Sequence, residues 1–379
     1  MERENITSVQ RALIVGGGIG GMAAAIALSE RGVKGDLIDL DPQWRVYGAG
    51  ITITGPTLRA YRRLGLLEEI KAQGAITTKT RLFKYDGTHL HDLEEPVIEE
   101  GLPATGGIMR PVLHRIMQKR VKELEIPVRL GLTVSSLTNV DGGVDVVFSD
   151  GSAGHYDLAI GSDSVFSGVR ELSFPHMGPA QPTGQGCWRI SIRKPPGLEY
   201  GEFYLGHANP CGITACAPDQ VYMWMLTPHV ERESFMDEEE LFNELKRLLA
   251  DFGGNAGWIR DNMTRDDWIN YRPLAAVLQP KPWYDGRIVL LGDAVHATTP
   301  HLASGAGMAV ESGIVLAEEL ARVDSVADGL LAYQERRYPR CKDVIDSSVS
   351  VGRLQLAHGD PREHAKILEG ALSRLNEPF

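Results

Sequence analysis

Cysteine is scarce in this chain. The 379 residues hold four, Cys187, Cys211, Cys216 and Cys341, and their spacing matches no metal-ligand or redox motif. That excludes a disulfide scaffold and a thiolate metal centre, and the expected state is reduced thiols in a cytoplasmic protein. Long apolar runs are also missing. No stretch approaches the 18 apolar residues of a membrane span, and the first residues lack the charged-then-apolar pattern of a signal peptide. Positive charge is short as well: 39 Lys and Arg stand against 50 Asp and Glu, for a net charge of −11. A nucleic-acid binder would carry a basic face, so neither nucleic acid nor membrane is expected as a partner. What the chain does have is glycine, 42 residues of it, gathered where a phosphate would need close backbone approach. The length exceeds one ordinary core and points to two domains.

Two glycine-rich segments carry the chemistry. Residues 10–15 read as a short apolar strand, and Gly16, Gly18 and Gly21 follow at once, with Ile19 and Gly20 between them. Residues 22–31 have helical composition, and residues 34–40 return to a strand that contains Asp39. This is the βαβ unit of a dinucleotide fingerprint, G-x-G-x-x-G followed by an acid about 20 residues on. Gly16 permits the tight turn, Gly18 lets the backbone approach a pyrophosphate, and Gly21 lets helix and strand pack closely. Asp39 would accept hydrogen bonds from ribose hydroxyls. The second segment, residues 286–311, reads as a buried apolar strand, then Gly292 and Asp293, then a loop with Pro300 that opens a helix at Gly305, Ala306, Gly307 and Met308. An Asp at a strand end can accept from cofactor hydroxyls, and a helix start with little bulk offers N–H groups and a positive dipole end.

Elsewhere, residues 56–73 and 110–125 have helical patterns, residues 127–132 and 143–148 look like strands, and a buried strand at 157–160 runs into Gly161 and Asp163. From 181 to 272 the texture changes to short aromatic and β-branched runs broken by Pro and Gly, with one helix at 237–252, which reads as a mostly antiparallel sheet. The Asp237 to Glu240 run reads as a helix cap with acids in the first turn. The nucleotide-type pattern resumes at 286, so the second domain is an insertion in the first. The expected fold is α/β: a Rossmann-like domain from 1–75, 101–180 and 277–330, an inserted substrate-binding β-sheet domain from 76–100 and 181–276, and a helical C-terminal segment, 331–379.

The order of three motifs resembles the flavoprotein aromatic hydroxylases, the single-component monooxygenases of the para-hydroxybenzoate hydroxylase fold group. The motifs are the Gly16/Gly18/Gly21 fingerprint with Asp39, the Gly161 to Asp163 segment with Val169 and Arg170, and Gly292–Asp293 with Pro300 and Gly305. Trp188-Arg189 and residues 271–274 and 282–286 look like members acting on salicylate-, hydroxynicotinate- or urate-like rings. The resemblance implies that the Rossmann-like domain binds FAD, with NADH or NADPH as reductant, molecular oxygen as co-substrate and a small aromatic or heteroaromatic substrate. The implied reaction is hydroxylation through a C4a-hydroperoxide of the flavin, by a monomer or homodimer. By position, Arg110 matches a contact to the flavin's phosphate–ribose part, Asp163 a residue serving both FAD and the nicotinamide, and Asp293 the residue holding the ribityl or pyrophosphate segment. The segment from Gly48 through Gly50 and Ile51 matches the one beside the ring, and Gly305 to Met308 the helix start beneath its pyrimidine end. Four positions depart from the pattern. Ser164 stands where Gly is usual, which predicts an altered turn and weakens the case for nicotinamide use. Ser304 replaces a frequent Gln, Gly307 a frequent Asn, and Ser312 a common Asp.

A phenolic substrate must be made electron-rich, so a His, Tyr or Arg near it would help it ionise. The candidates are Arg189, Tyr204, His207, Tyr222 and His301. The competing reading for Tyr204 and Tyr222 is sheet packing. Arg189 alternates with apolar neighbours, which points it at solvent or an acid if not at substrate. His296 reads as structural. The same flavin chemistry would also serve Baeyer–Villiger oxidation, epoxidation or N-hydroxylation. An NAD-dependent dehydrogenase and a non-catalytic flavin-binding protein are the readings from other classes.

Overall fold

The computed structural model describes residues 5–46, 48–206, 209–231 and 235–379. Its first layer is a six-stranded sheet in the order Tyr284–Asp285, Ile288–Leu290, Leu158–Gly161, Arg11–Val15, Lys34–Asp39, Val128–Leu130. All neighbours are parallel except the two-residue edge strand. Parallel strands covered on both faces need continuous apolar side chains, and Leu13, Ile14, Ile160, Val289 and Leu290 are all fully buried. The register does the work that matters for the site. Val15 lies beside Gly161 and Ile38, and Gly161 beside Leu290, so all three sequence motifs leave the sheet at one level of its carboxyl edge. The helices Ile19–Ser29 and Gly305–Ala321 cross against one another, and a Cβ at Gly313 would press on the Ala24 backbone at 2.6 Å.

A seven-stranded sheet forms the second layer, in the order Trp268–Ala276, Gln181–Arg193, Gln220–Pro228, Cys211–Ala215, Gly201–Leu205, Lys79–Lys84, His89–Glu94. Side chains alternate across it. Trp188, Ile190, Met223, Tyr204 and Cys211 pack on one face with Phe242, Leu245 and Ile259 from the helices Glu238–Leu248 and Gly254–Asn262. The other face carries Cys187, Arg189, Tyr222 and Trp224. It meets a small sheet built from Gly50–Thr54, Thr105–Met109 and Ala75–Thr77. A Cβ at Gly50 would collide with Cys216 and Tyr222, so glycine lets these two sheets touch.

The structure departs from the sequence expectations in places. The helical run over 56–73 is two helices, Gly55–Arg63 and Leu67–Gln73, separated by Gly65 at φ +72°. The strand Cys211–Ala215 and the helix Gly254–Asn262 were not anticipated, because each is short and rich in glycine or cysteine. The tail helix starts at Val326, capped by Ser325, and Pro361–Asn376 follows it. Asp237 forms a full capping box with Glu240. All four cysteines are buried free thiols. Among the described residues no helix is long and apolar enough to cross a membrane, and no cluster of ligating side chains could hold a metal ion.

Candidate active site

The three motifs converge on one another. Gly16, at φ +106°, lies against the Ser162 carbonyl and the Asp163 Cα. A Cβ at Gly20 would meet Ser162 Oγ at 2.9 Å, Leu291 at 3.1 Å and Ala309 at 3.3 Å, and one at Gly292 would meet Ala309 and Ser162 Oγ at 3.5 and 3.7 Å. A Cβ at Gly21 would collide with the Gly16 carbonyl. Gly18 is the exception. It caps the Ile19–Ser29 helix with φ −75°, and a Cβ there would meet no protein atom within 4 Å. Glycine at 18 is therefore required by nothing inside the protein, which is what close approach of a ligand predicts.

Asp39 does not stand free beside this loop. Its Oδ2 accepts from Gly17 N at 2.7 Å and its Oδ1 from Asp41 N at 2.8 Å, which fixes the loop against the second strand. Two side chains that sequence reasoning missed complete the fixation. The Trp44 indole donates to the Gly17 carbonyl at 2.8 Å, and His114 Nε2 donates to the same oxygen at 3.2 Å. Neither residue belongs to a recognisable motif, so no sequence signal marks them.

Asp163 is turned into its own loop, with Oδ1 accepting from Ser167 and Oδ2 from Val169 N at 3.0 Å. Burial pushes its carboxyl above the usual range, and these hydrogen bonds pull the other way. The expectation of an altered turn at Ser164 is corrected: its φ of +77° is the left-handed conformation that glycine favours, so the turn keeps a glycine geometry on a serine. Arg170 is buried and donates to the Ala294 and Val165 carbonyls at 2.9 Å each, tying the second motif to the third.

Asp293 begins a short turn of helix after Gly292, which needs φ +65°. The side chain is open to solvent yet enclosed by protein strongly enough for burial to raise its carboxyl pKa, with Arg110 opposing. That combination belongs to the wall of a deep cleft. Arg110 heads the helix Arg110–Glu123 and is exposed into the same cleft; its field reaches Asp293, Tyr61 and Tyr222. Neither Arg110 nor Asp293 has an ion pair among the described residues.

The floor helix Gly305–Ala321 starts after Ser304 with no side-chain cap on its first N–H groups. Pro300 opens the single 3-10 turn before it, and Ala303 holds the reversal at φ +47°. Ala306 is half-buried and Met308 fully buried. Gly307 has a packing reason that the sequence hid: a Cβ there would strike Thr57 on the neighbouring helix. Ser312 is explained as well. Arg337 donates to its hydroxyl at 3.1 Å, leaving the hydroxyl proton for His296 Nε2 at 2.9 Å, while the Arg337 charge is met by Glu311 at 2.8 Å. His296 sits fully buried, where desolvation drives its pKa down to about 3.

Of the proposed substrate-side groups, Arg189 and Tyr222 come together on the cleft face of the seven-stranded sheet, each felt by the other. Arg189 is half-buried, and the titratable groups that act on it are Cys187 and Tyr222, the latter through a side-chain hydrogen bond. Tyr204 is on the opposite face. It donates to Glu202 at 2.7 Å, accepts from Asn255 N at 2.9 Å and stacks on Phe83, so the structure does not bring it to the cleft. His301 hydrogen-bonds to Thr299 at 2.8 Å and to Gln355 on the tail helix at 3.1 Å, and burial lowers its pKa to about 4. His207 lies outside the described residues. Beside the cleft, a groove of about 450 Å³ runs between Gly48, Met109 and Pro111 on one side and Ser191, Gln220 and Trp268 on the other.

These residues suit a dinucleotide flavin. The Gly18 cradle and an uncapped helix N-terminus match a pyrophosphate, Asp293 is an acceptor for hydroxyls with no ion pair among the described residues, and a second uncapped N-terminus opens the Gly305–Ala321 helix. Fold and site together define a flavin-dependent oxygenase. The chain belongs to the family described as the FAD binding domain, whose model matches residues 10–348. It is 31% identical over 352 residues to the putative FAD-dependent monooxygenase YetM of Bacillus subtilis, covering 92% of this chain and 94% of that one. It is 29% identical to the 2-heptyl-3-hydroxy-4(1H)-quinolone synthase of Pseudomonas aeruginosa, covering 90% and 88%. Among solved structures it is similar to Klebsiella pneumoniae HpxO complexed with FAD and uric acid, with a TM-score of 0.81 at 21% identity over 98% and 93% of the two chains. The protein is an FAD-dependent monooxygenase.

Proposed function

We propose that this enzyme uses NADH or NADPH to hydroxylate a small aromatic or heteroaromatic ring with one atom of molecular oxygen. The observation that carries the reading is the meeting of the three motif loops at one sheet edge, opposite a sheet face bearing Arg189, Tyr222 and Trp224. Bound FAD supplies the electron transfer to oxygen and the oxygen-atom transfer. The protein supplies position, charge and dryness. Gly16, Gly18, Ile19, Gly20 and Gly21 would cradle the pyrophosphate, Asp293 would accept from the ribityl hydroxyls, and Arg110 would offset phosphate charge. The N–H groups opening the floor helix favour negative charge on the ring, by about 0.3–2 kcal/mol depending on burial. The seven-stranded sheet would hold the substrate against that floor and keep water away. A quinolone synthase among the relatives and uric acid in HpxO support a flat heteroaromatic substrate. Screening hydroxybenzoates, hydroxypyridines, quinolones and purines for stimulated NADH or NADPH oxidation, with product mass, tests the reading. Oxidation that no ring compound stimulates would count against it.

A further inference from the structure

The proposed reaction brings two organic molecules to one flavin ring, and the floor helix with the sheet face above it accounts for one of them. A place for the second is marked by the groove of about 450 Å³ beside the cleft. Pockets for organic ligands run from about 300 to 1,000 Å³, so the groove has room for a ring with its sugar and not for a whole dinucleotide. Gly48 partitions the two spaces. Its φ of +134° is a glycine conformation, and a Cβ there would stand 3.7 Å from Arg110 Cδ, on the cleft side, and 3.9 Å from Trp268 Cη2, on the groove side. The groove's far wall continues the sheet face that looks into the cleft. Ser191 lies directly across from Tyr222 on one neighbouring strand and from Trp268 on the other, and residues paired across a sheet share a face.

Trp268 presents an indole that is 36% exposed. Ser191 is only 7% exposed, and its hydroxyl has no hydrogen-bond partner. An orphaned hydroxyl is costly to bury, and one that lines a groove suits a ligand that completes it. Asp266 stands exposed at the mouth, with no ion pair or hydrogen bond among the described residues, and Gln220 adds an amide to the wall. The set offers an aromatic face for stacking, an amide and a hydroxyl for a carboxamide, and a carboxylate for the hydroxyls of a sugar. Asp163, whose motif suggested nicotinamide contact, has both carboxylate oxygens engaged by Ser167 and Val169 in its own loop. We infer that the groove is the docking site for the nicotinamide ring and its ribose. Trp268 stacks on the ring, Ser191 and Gln220 hold the carboxamide, and Asp266 accepts from the ribose hydroxyls. This assignment rests on the reading of the enzyme as a consumer of NADH or NADPH.

The test uses the wild type and its Trp268→Ala, Asp266→Asn and Ser191→Ala variants, each with and without FAD. Titration of the flavin-free proteins with NADH and NADPH, followed by nicotinamide fluorescence, reads binding alone. Anaerobic reduction of the FAD-loaded proteins, followed by stopped-flow absorbance, gives a Kd and a limiting rate. Trp268→Ala should raise the Kd of the reducing nucleotide about tenfold or more in both assays. Asp266→Asn and Ser191→Ala should raise it several-fold, and ADP-ribose, which lacks the ring, should not compete. Melting is the further readout. Removing an orphaned hydroxyl leaves the Tm of Ser191→Ala unchanged or raised; a fall of several degrees would show a hydroxyl serving the fold and overturn the inference. Reduction of the wild-type flavin by dithionite but by neither nucleotide would refute the reductant reading, and the groove with it. Reduction by NADH or NADPH with a Kd unchanged in Trp268→Ala and Asp266→Asn would overturn the groove alone, as would displacement of the nucleotide by ADP-ribose at comparable concentration.

Discussion

Replacing Gly18 with alanine separates a ligand's demand for glycine from the fold's own. At φ −75° an L-residue is unstrained, and the new methyl group would meet no protein atom within 4 Å. Two small effects act on stability. The unfolded chain loses entropy, which stabilises by about 0.4–1 kcal/mol, and alanine is a poorer helix N-cap than glycine, which costs a few tenths to about 1 kcal/mol. They nearly cancel, so the flavin-free melting temperature should stay within a degree or two. FAD binding should respond quite differently. A methyl group held against the pyrophosphate would displace it from the N–H groups at the helix start. Losing one charge-assisted hydrogen bond costs about 1.5–3 kcal/mol, or about 10- to 100-fold in Kd. Gly21→Ala is the contrasting case, since its Cβ would collide with the Gly16 carbonyl and damage the fold itself. Melting of the flavin-free proteins and quenching of FAD fluorescence on titration measure both quantities. An unchanged FAD affinity in a normally folded Gly18→Ala protein would refute the reasoning about the loop.

Asp293→Ala should lose FAD on gel filtration while melting no lower than the wild type without flavin, because the enclosed carboxylate has no ion-pair partner; full flavin occupancy in the variant would sink that assignment. Ser164→Gly should stabilise by about 0.5–1 kcal/mol, the relief of a left-handed serine less the extra entropy of glycine, and a lower Tm would show that the φ of +77° is not strained here. Acid stability follows from His296 and His301, whose folded pKa values of about 3 and about 4 lie below the ordinary 6.5. The unfolded state binds more protons between those limits, so their stabilisation is fully present above about pH 6.5 and is lost as pH falls through the window. For His301 that is on the order of 3 kcal/mol. Urea melts of wild type and His301→Gln between pH 4 and 7 should show a shallower acid slope in the variant, and parallel slopes would contradict the assignment.

Much of the first layer could be read from the chain because its signals are local. The turn at Gly16, the helix start at Gly18 and the acid at Asp39 occur within one βαβ unit, and each residue type follows from the backbone it must form. The buried strand before Asp293 is equally legible, being short, apolar and punctuated. The second layer was legible only as a sheet. Both faces of its central strands are largely covered, so polar and apolar residues do not alternate cleanly there, and Tyr204 and Tyr222 look alike in sequence while facing opposite sides. Gly50 and Gly307 carry a packing demand that was hidden for a related reason. Each matched a segment beside the cofactor, and a Cβ at either would also collide with a protein neighbour, Cys216 and Tyr222 in one case and Thr57 in the other. Partners so distant in sequence leave no local mark. The same holds for Trp44 and His114, which steady the Gly16–Gly21 loop from outside any motif.

The central claim is oxygen-atom transfer to a ring by a flavin held at the three converging loops. Turnover under ¹⁸O₂ with the best-stimulating compound, followed by mass analysis of the product, tests it most directly. One ¹⁸O atom per product molecule, with NADH or NADPH consumed in equal amount, is the result the account predicts. Product oxygen drawn from water, or oxygen consumption recovered wholly as hydrogen peroxide with the ring compound unchanged, would contradict it.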